Sequence, residues 1–327
     1  MQPIVSIIML GHRRADLLKF ALESILRETK AQNYELLLVL NGANSKVREL
    51  AAEYSTVLPL RILVINEERP GAARGFGIRA ALGDILLFLD DDIELFQDIV
   101  SNTIRLFSDH KVQAAGGPNL TPPKSGALER ATGMAMESFF GAATMRLRYK
   151  STEKTFKCDE HGLILCNLAV RRKIFNELSF PRHFVSNEEN IILQKMSVSG
   201  LNMISSATLA VFHKRRESWR LLIQQNYKYG MGRSQNILYF PESFKFLYII
   251  PSIFLFYLLL AWVFPLPLLI YFLLAIGNSF SSIFCSKDWA ALFLPLVYLC
   301  IHLSYGAGFF VGWISWLGRR GKLSEVL

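Results

Sequence analysis

Three consecutive carboxylates, Asp90, Asp91 and Asp92, close the apolar run Ile85–Leu89. A run of large apolar side chains reads as a buried strand, and acid clustered at its end is delivered to the edge of a sheet. Side chains alternate along an extended backbone, which puts Asp90 and Asp92 on one side and Asp91 on the other. Two carboxylates so spaced suit one hard divalent cation, Mn2+ or Mg2+. A solvated acidic turn fits the same triplet, and the spacing alone leaves both readings open. An EF-hand is excluded, because Leu95 stands where its sixth loop position needs glycine.

Other residues with chemical potential lie on either side. Glu188 and Glu189 open an amphipathic segment carrying Ile191, Ile192 and Met196. Ser186 and Glu189 have the spacing of a capping box, so Glu189 reads as a helix cap; a helix N-terminus also keeps a carboxylate ionised, as a general base requires. His213 follows the strand-like residues 208–212. A lone histidine is more often structural, but here an imidazole is also placed to complete a metal shell. The stretch Gly71-Ala72-Ala73-Arg74-Gly75-Phe76-Gly77 has neither the glycine order of a dinucleotide site nor the Gly-Lys-Ser/Thr of a P-loop. Gly75 and Gly77 are expected to let a helix pack closely on a sheet, with Arg74 and Arg79 as candidates to face a diphosphate.

These groups need a scaffold. Apolar, β-branched runs at 3–10, 34–40, 60–65 and 85–89 alternate with segments of helical spacing at 17–26, 45–54 and 71–81. Residues 112–118 and 208–212 repeat the strand signal. Alternation of this kind implies a parallel, doubly wound sheet, whose ligands bind beyond the carboxyl ends of the strands. The acidic triplet and the turn cluster Asn41-Gly42-Ala43-Asn44 both fall at such ends.

Of the 327 residues, 51% are hydrophobic, too many for an ordinary soluble enzyme. The excess lies at the C-terminal end. Residues 246–286 contain no Asp, Glu, Lys or Arg, and after Lys287-Asp288 the next formal charge is Arg319. About 20 helical residues cross a bilayer, so two or three spans are expected, with Phe264-Pro265-Leu266-Pro267 as a break. The net charge of +9 gathers before the first apolar run, in Lys214, Arg215, Arg216, Arg220, Lys228 and Arg233, where anionic lipid is a better partner than nucleic acid. Arg319, Arg320 and Lys322 ask for the same side of the membrane. The expected division is therefore a catalytic domain at 1–240, a membrane domain at 241–318 and a basic tail at 319–327. With no N-terminal signal pattern, the catalytic domain and tail are expected in the cytoplasm, on a multi-pass protein of the inner or plasma membrane. Four cysteines without a CxxC pair indicate neither zinc site nor disulfide framework.

Taken in order, these motifs resemble family 2 glycosyltransferases, the inverting enzymes with the GT-A (Rossmann-like) nucleotide-sugar fold. Val5-Ser6-Ile7-Ile8 followed by Arg13 is similar to that family's first strand and loop. Residues 73–84 resemble its helix leading into the acidic strand, and Leu89-Asp90-Asp91-Asp92 its DxD motif. Asn167 with Arg171 resembles the acceptor-side strand, Glu188-Glu189 the catalytic Glu-Asp pair, and Tyr229-Gly230-Met231-Gly232-Arg233 a segment of membrane-bound polysaccharide and glycolipid members. The resemblance implies Asp90, Asp92 and His213 around metal and diphosphate, and Arg13, Asn41, Arg74 and Asp91 on the donor side. It implies Glu189, beside Glu188, as general base toward a lipid-linked or membrane-proximal acceptor. Two departures stand out: Asn41 replaces the aspartate that commonly reads the base, and Glu189 replaces aspartate in the acidic pair. The Gln-x-x-Arg-Trp element of processive synthases is absent at Gln224-Gln225-Asn226-Tyr227-Lys228, so single addition is expected. The competing readings are a catalytically silent nucleotide-sugar-binding scaffold and a transporter, the latter disfavoured by apolar runs without an internal carboxylate.

Overall fold

The computed structural model describes residues 3–66, 69–181 and 187–317, so the expected basic tail and Ser186 lie outside the described residues. The chain divides into two compact units. The first comprises Met1–Leu120, Lys150–His183 and Glu189–His213, the second Thr121–Tyr149, Phe184–Glu188 and Lys214–Leu327.

The first unit opens as the alternation implies: β1 (Val5–Gly11), α1 (Ala15–Glu28), β2 (Tyr34–Asn41), α2 (Ser45–Tyr54), β3 (Leu60–Ile65), α3 (Pro70–Ala80) and β4 (Ile85–Leu89). It continues through β5 (Ile93–Glu94), α4 (Ile99–Phe107), β6 (Ala114–Gly116) and β7 (Asn119–Leu120), then β8 (Phe156–Lys157), β9 (Asn167–Arg171), α7 (Glu188–Val198), β10 (Met203–Ser205) and β11 (Val211–His213). The main sheet has the order β3-β2-β1-β4-β9-β6-β10-β8. β1 runs parallel to β2 and β4, and β6 parallel to β10, but β9 enters antiparallel between β4 and β6. The sheet is mostly parallel, as expected of the GT-A fold, with β9 as an antiparallel insertion. Strand alternation reports sequence neighbours and is silent about a later strand that inserts between two earlier ones.

Residues of alternate parity face opposite layers. Val5, Ile7 and Met9 join Leu36, Leu38 and Leu40 beneath α1 and α2, whereas Ile8, Leu37, Val39 and Phe88 pack with Ile192, Leu193 and Met196 of α7. Because both faces are covered, the inner strands read as continuous apolar runs. Gly77 has the packing role expected of it, since a Cβ there would sit 2.7 Å from Ile8 Cγ2. Gly75 does not, its one near neighbour being the Arg79 side chain.

The second unit contains α5 (Ala127–Glu137), α6 (Phe139–Ala142), α8 (Trp219–Tyr239), α9 (Ile250–Tyr257), α10 (Leu266–Ser286) and α11 (Leu294–Leu317). Among the described residues, two stretches are helical, long and apolar enough to cross a membrane, Leu266–Ser286 and Trp289–Ser315. The third expected span is not of that length, because α9 stops after eight residues, ahead of the proline-rich break. Trp262 and Phe284 turn outward, 84% and 80% exposed. Asp288 marks the junction between the apolar stretches: it accepts a hydrogen bond from Ala290 N at 2.9 Å and an ion pair from Arg130 Nε at 2.7 Å.

α8 packs along α11 backbone to backbone within this unit. A Cβ at Gly230 would collide with the Tyr305 carbonyl, and one at Gly308 with that of Tyr227. Small residues at such crossings let helices approach closely. Gly308→Leu should therefore lower the apparent melting temperature in detergent, with an overpacking cost of about 1–3 kcal/mol. Gly277→Leu, at a position with nothing within 4 Å, is the control that should leave it unchanged.

Candidate active site

β4 delivers its carboxylates to a turn and not to a longer strand, and Asp90 N reaches back to Cys166 O at 3.4 Å. The chain then pairs again as β5, in a small sheet of order β5-β11-β7 where His213 stands opposite Ile93. That register brings a distant histidine beside the acids. His213 Nε2 lies 3.1 Å from Asp92 Oδ1, and ligand atoms of Asp90, Asp92 and His213 all fall within 4.8 Å of one another. His213 is the last residue of its strand, not the first after it. Its Nδ1 is buried without a hydrogen-bond partner among the described residues.

The other oxygen of Asp92 is held by Arg14, whose Nη1 donates to Oδ2 at 2.7 Å while Nη2 donates to Asp91 Oδ1. Arg74, buried in the first turns of α3, pairs with Asp90 at 3.4 Å. Burial by itself would raise the Asp92 carboxyl, but His213 and then Arg14 overcome it and drive that group far below the usual carboxylate range. Asp91 has the opposite fate. Burial, with Asp92 and Asp90 adding to it against the pull of Arg14, pushes it up to about 6. One acid is thus kept ionised toward the histidine, while its neighbour is turned onto the guanidinium.

Two carboxylates and an imidazole form a fitting donor set for a divalent cation. Asn41 ends β2 at the same carboxyl edge, 8% exposed, with its carbonyl accepting from His12 Nδ1. Glu188 and Glu189 start α7, 8% and 7% exposed, after Asn187 at φ +61°. α7 runs down to the tight turn at Gly200 and into β10, which lies parallel to β6. The start of α7 is therefore at the carboxyl edge that carries the acidic turn.

Four other expected residues are not among those three ligands. Asn167 is fully buried, and its Nδ2 donates to Gly117 O at 3.0 Å and Leu209 O at 2.7 Å. With both donor hydrogens committed to backbone, it braces the loops behind the turn. Arg171 stands opposite Ile85, at the far end of β4, while Asn167 stands opposite Leu89. Four steps of about 3.3 Å put Arg171 roughly 13 Å from the acidic end. Its guanidinium donates to Val112 O and Phe107 O, both at 2.8 Å. Arg13 is exposed, and the loop contributes its neighbour Arg14 instead. Arg79 stacks on Phe76 at 4.5 Å, away from the acids.

The model of glycosyl transferase family 2 matches residues 6–179, more than half of the chain. The protein belongs to this family. Its chain is 25% identical over 238 residues to the glycosyltransferase AglE of Haloferax volcanii, covering 71% of this chain and 74% of AglE. Over 67% of the chain it is 25% identical to the O-antigen biosynthesis protein RfbC of Myxococcus xanthus, of which it spans only 18%. The fold is similar to that of the mannosyltransferase PcManGT from Pyrobaculum calidifontis in complex with GDP-Man and Mn2+, with TM-score 0.61, 15% identity, and coverage of 96% of this chain and 88% of that one. S. aureus TarS 1-349 in complex with UDP-GlcNAc matches with TM-score 0.54 and 14% identity, covering 73% of this chain and 67% of that chain. The first unit is accordingly a GT-A-like glycosyltransferase fold, and the protein is a glycosyltransferase.

Arg14→Gln should cost about 1–2 kcal/mol of stability in metal-free protein, because two acids lose a charged hydrogen-bond partner that is itself partly solvated. Arg13→Gln should cost nothing measurable. Parallel thermal melts of the two variants in a chelator separate these outcomes.

Proposed function

We propose that this glycosyltransferase inverts the donor anomeric centre, moving one sugar from a nucleoside diphosphate to a hydroxyl of a lipid-linked or membrane-proximal acceptor in polysaccharide or glycoconjugate biosynthesis. The observation that supports this most is the convergence of Asp90, Asp92 and His213 ligand atoms within 4.8 Å at the end of β4. A divalent cation there would offset the charge that grows on the departing diphosphate. Arg74, already beside Asp90, would meet the same phosphates, and Asn41 would hydrogen-bond the base edge. Glu189 would take the proton as the acceptor oxygen bonds to the anomeric carbon and the sugar–phosphate bond breaks. The N-terminus of α7 would favour the ionised form that this task requires, against the cost of burial. RfbC is named for O-antigen biosynthesis, and PcManGT and TarS are described with nucleotide-sugars, which fits the donor class.

The apolar stretches at 266–286 and 289–315 would anchor the enzyme as two membrane crossings, with the catalytic unit and the tail at 319–327 both on the cytoplasmic side. An even number of crossings agrees with basic residues at both ends of the apolar region. α9 would then lie at the interface.

Asp92→Ala should abolish the stabilisation that Mn2+ with a nucleotide-sugar gives in a thermal-shift assay, and should lower turnover by about two orders of magnitude or more. Unchanged turnover in that variant would remove Asp92 from the reaction. Glu189→Gln should reduce turnover by about 10²–10⁴ while leaving the donor-induced shift intact. Loss of stability with full turnover would instead make Glu189 a helix cap.

A further inference from the structure

The basic run Arg171-Arg172-Lys173 is left over from the chemistry at the acidic turn, and the fold gathers it with Arg79 around a separate cavity of 750 Å³. That volume is in the range of small-molecule sites. Four of the lining side chains are formally cationic and Asp84 is the one carboxylate among them, a surplus of three positive charges before His110 is counted.

What holds these cations is the informative part. Arg171 is fixed by the carbonyls of Val112 and Phe107 and lies over the Phe107 ring at 5.2 Å. Arg172 Nη1 donates to Ala81 O at 3.0 Å, and Arg79 lies over the Phe76 ring. Carbonyl oxygens and ring faces orient a guanidinium without cancelling its charge. The one acid, Asp84, approaches Arg172 only to 3.7 Å, and its side chain is 85% exposed, so that pair is weak. The cavity therefore presents pre-oriented, uncompensated positive charge. Guanidinium groups match phosphate oxygens in pairs of hydrogen bonds, and a group already held in place loses little freedom on binding.

We propose that this cavity binds a phosphate-bearing anion, either the headgroup of an anionic lipid or a free diphosphate. It is distinct from the donor site, because Arg171 stands opposite Ile85 whereas the acids follow Leu89 at the other end of β4. It does not depend on how glycosyl transfer proceeds.

The test is hydrogen exchange on the full chain in nanodiscs, with a chelator present so that the acidic turn carries no cation. One arm uses phosphatidylcholine discs with and without inorganic pyrophosphate; the other compares phosphatidylglycerol with phosphatidylcholine discs. Slowed exchange at residues 79–84 and 172–176 on adding pyrophosphate identifies a free phosphate ligand. The same protection only in phosphatidylglycerol identifies a lipid headgroup. The double variant Arg79→Glu/Lys173→Glu should weaken the protecting ligand at least tenfold while keeping the wild-type melting temperature. Should that variant misfold, Lys173→Gln should give a smaller loss in the same direction. No protection in either arm, or full protection in these variants, overturns the proposal.

Discussion

Three carboxylates at the end of a buried strand set the electrostatic problem that the rest of the first unit answers. Removing charged groups from water is costly unless partners and hydrogen bonds replace the solvent. The partners come from three separate places: Arg14 from the first loop, Arg74 from α3 and His213 from β11. They act unequally on neighbouring acids. Asp92 is held ionised between an imidazole and a guanidinium, whereas Asp91 shares that guanidinium and rises toward neutrality. Asp90, with its side chain one-third exposed, keeps contact with water. A graded set of three acids, from solvated to buried, arises from one tetrapeptide because each residue meets a different wall.

Much of this unit is legible in the sequence for a physical reason. β1, β2 and β4 are covered on both faces and their apolar runs record that burial directly, whereas the edge strand β3 leaves Arg61, Ile62 and Val64 exposed. The side-by-side placement of Asp90 and Asp92 follows from backbone alternation even though the chain has already entered a turn. Placement is not legible where no period exists. Arg13 and Arg14 lie in a loop, where one residue of phase decides which reaches the acids, and nothing local sets that phase. Asn167 and Arg171 lie on one strand whose direction is fixed by its insertion between β4 and β6. Reversing a strand exchanges its ends, so Arg171 moves to the far edge of the sheet while Asn167 stays near the turn as a brace.

The second unit was legible at the level of composition and less so in its arrangement. Charge-free stretches report apolar surroundings without saying which helix packs on which. α8 reads as polar and aromatic, yet Asn226, Arg233, Gln235 and Asn236 are buried in it. Its glycines admit the α11 backbone, and Arg233 lies over the Tyr248 ring at 4.5 Å. Close backbone packing depends on where small residues meet across two helices, and hydropathy along either one does not record it.

The three-stranded sheet β5-β11-β7 is only two or three residues wide at each strand, yet it alone sets His213 beside the acids. An ion shared by Asp92 and His213 would therefore join two stretches far apart along the chain, much as a covalent crosslink closes a long loop. Closing such a loop restricts the unfolded chain, and the entropy it removes grows only slowly with loop length. Cation affinity and the conformational stability of this corner are then one thermodynamic quantity seen from two sides.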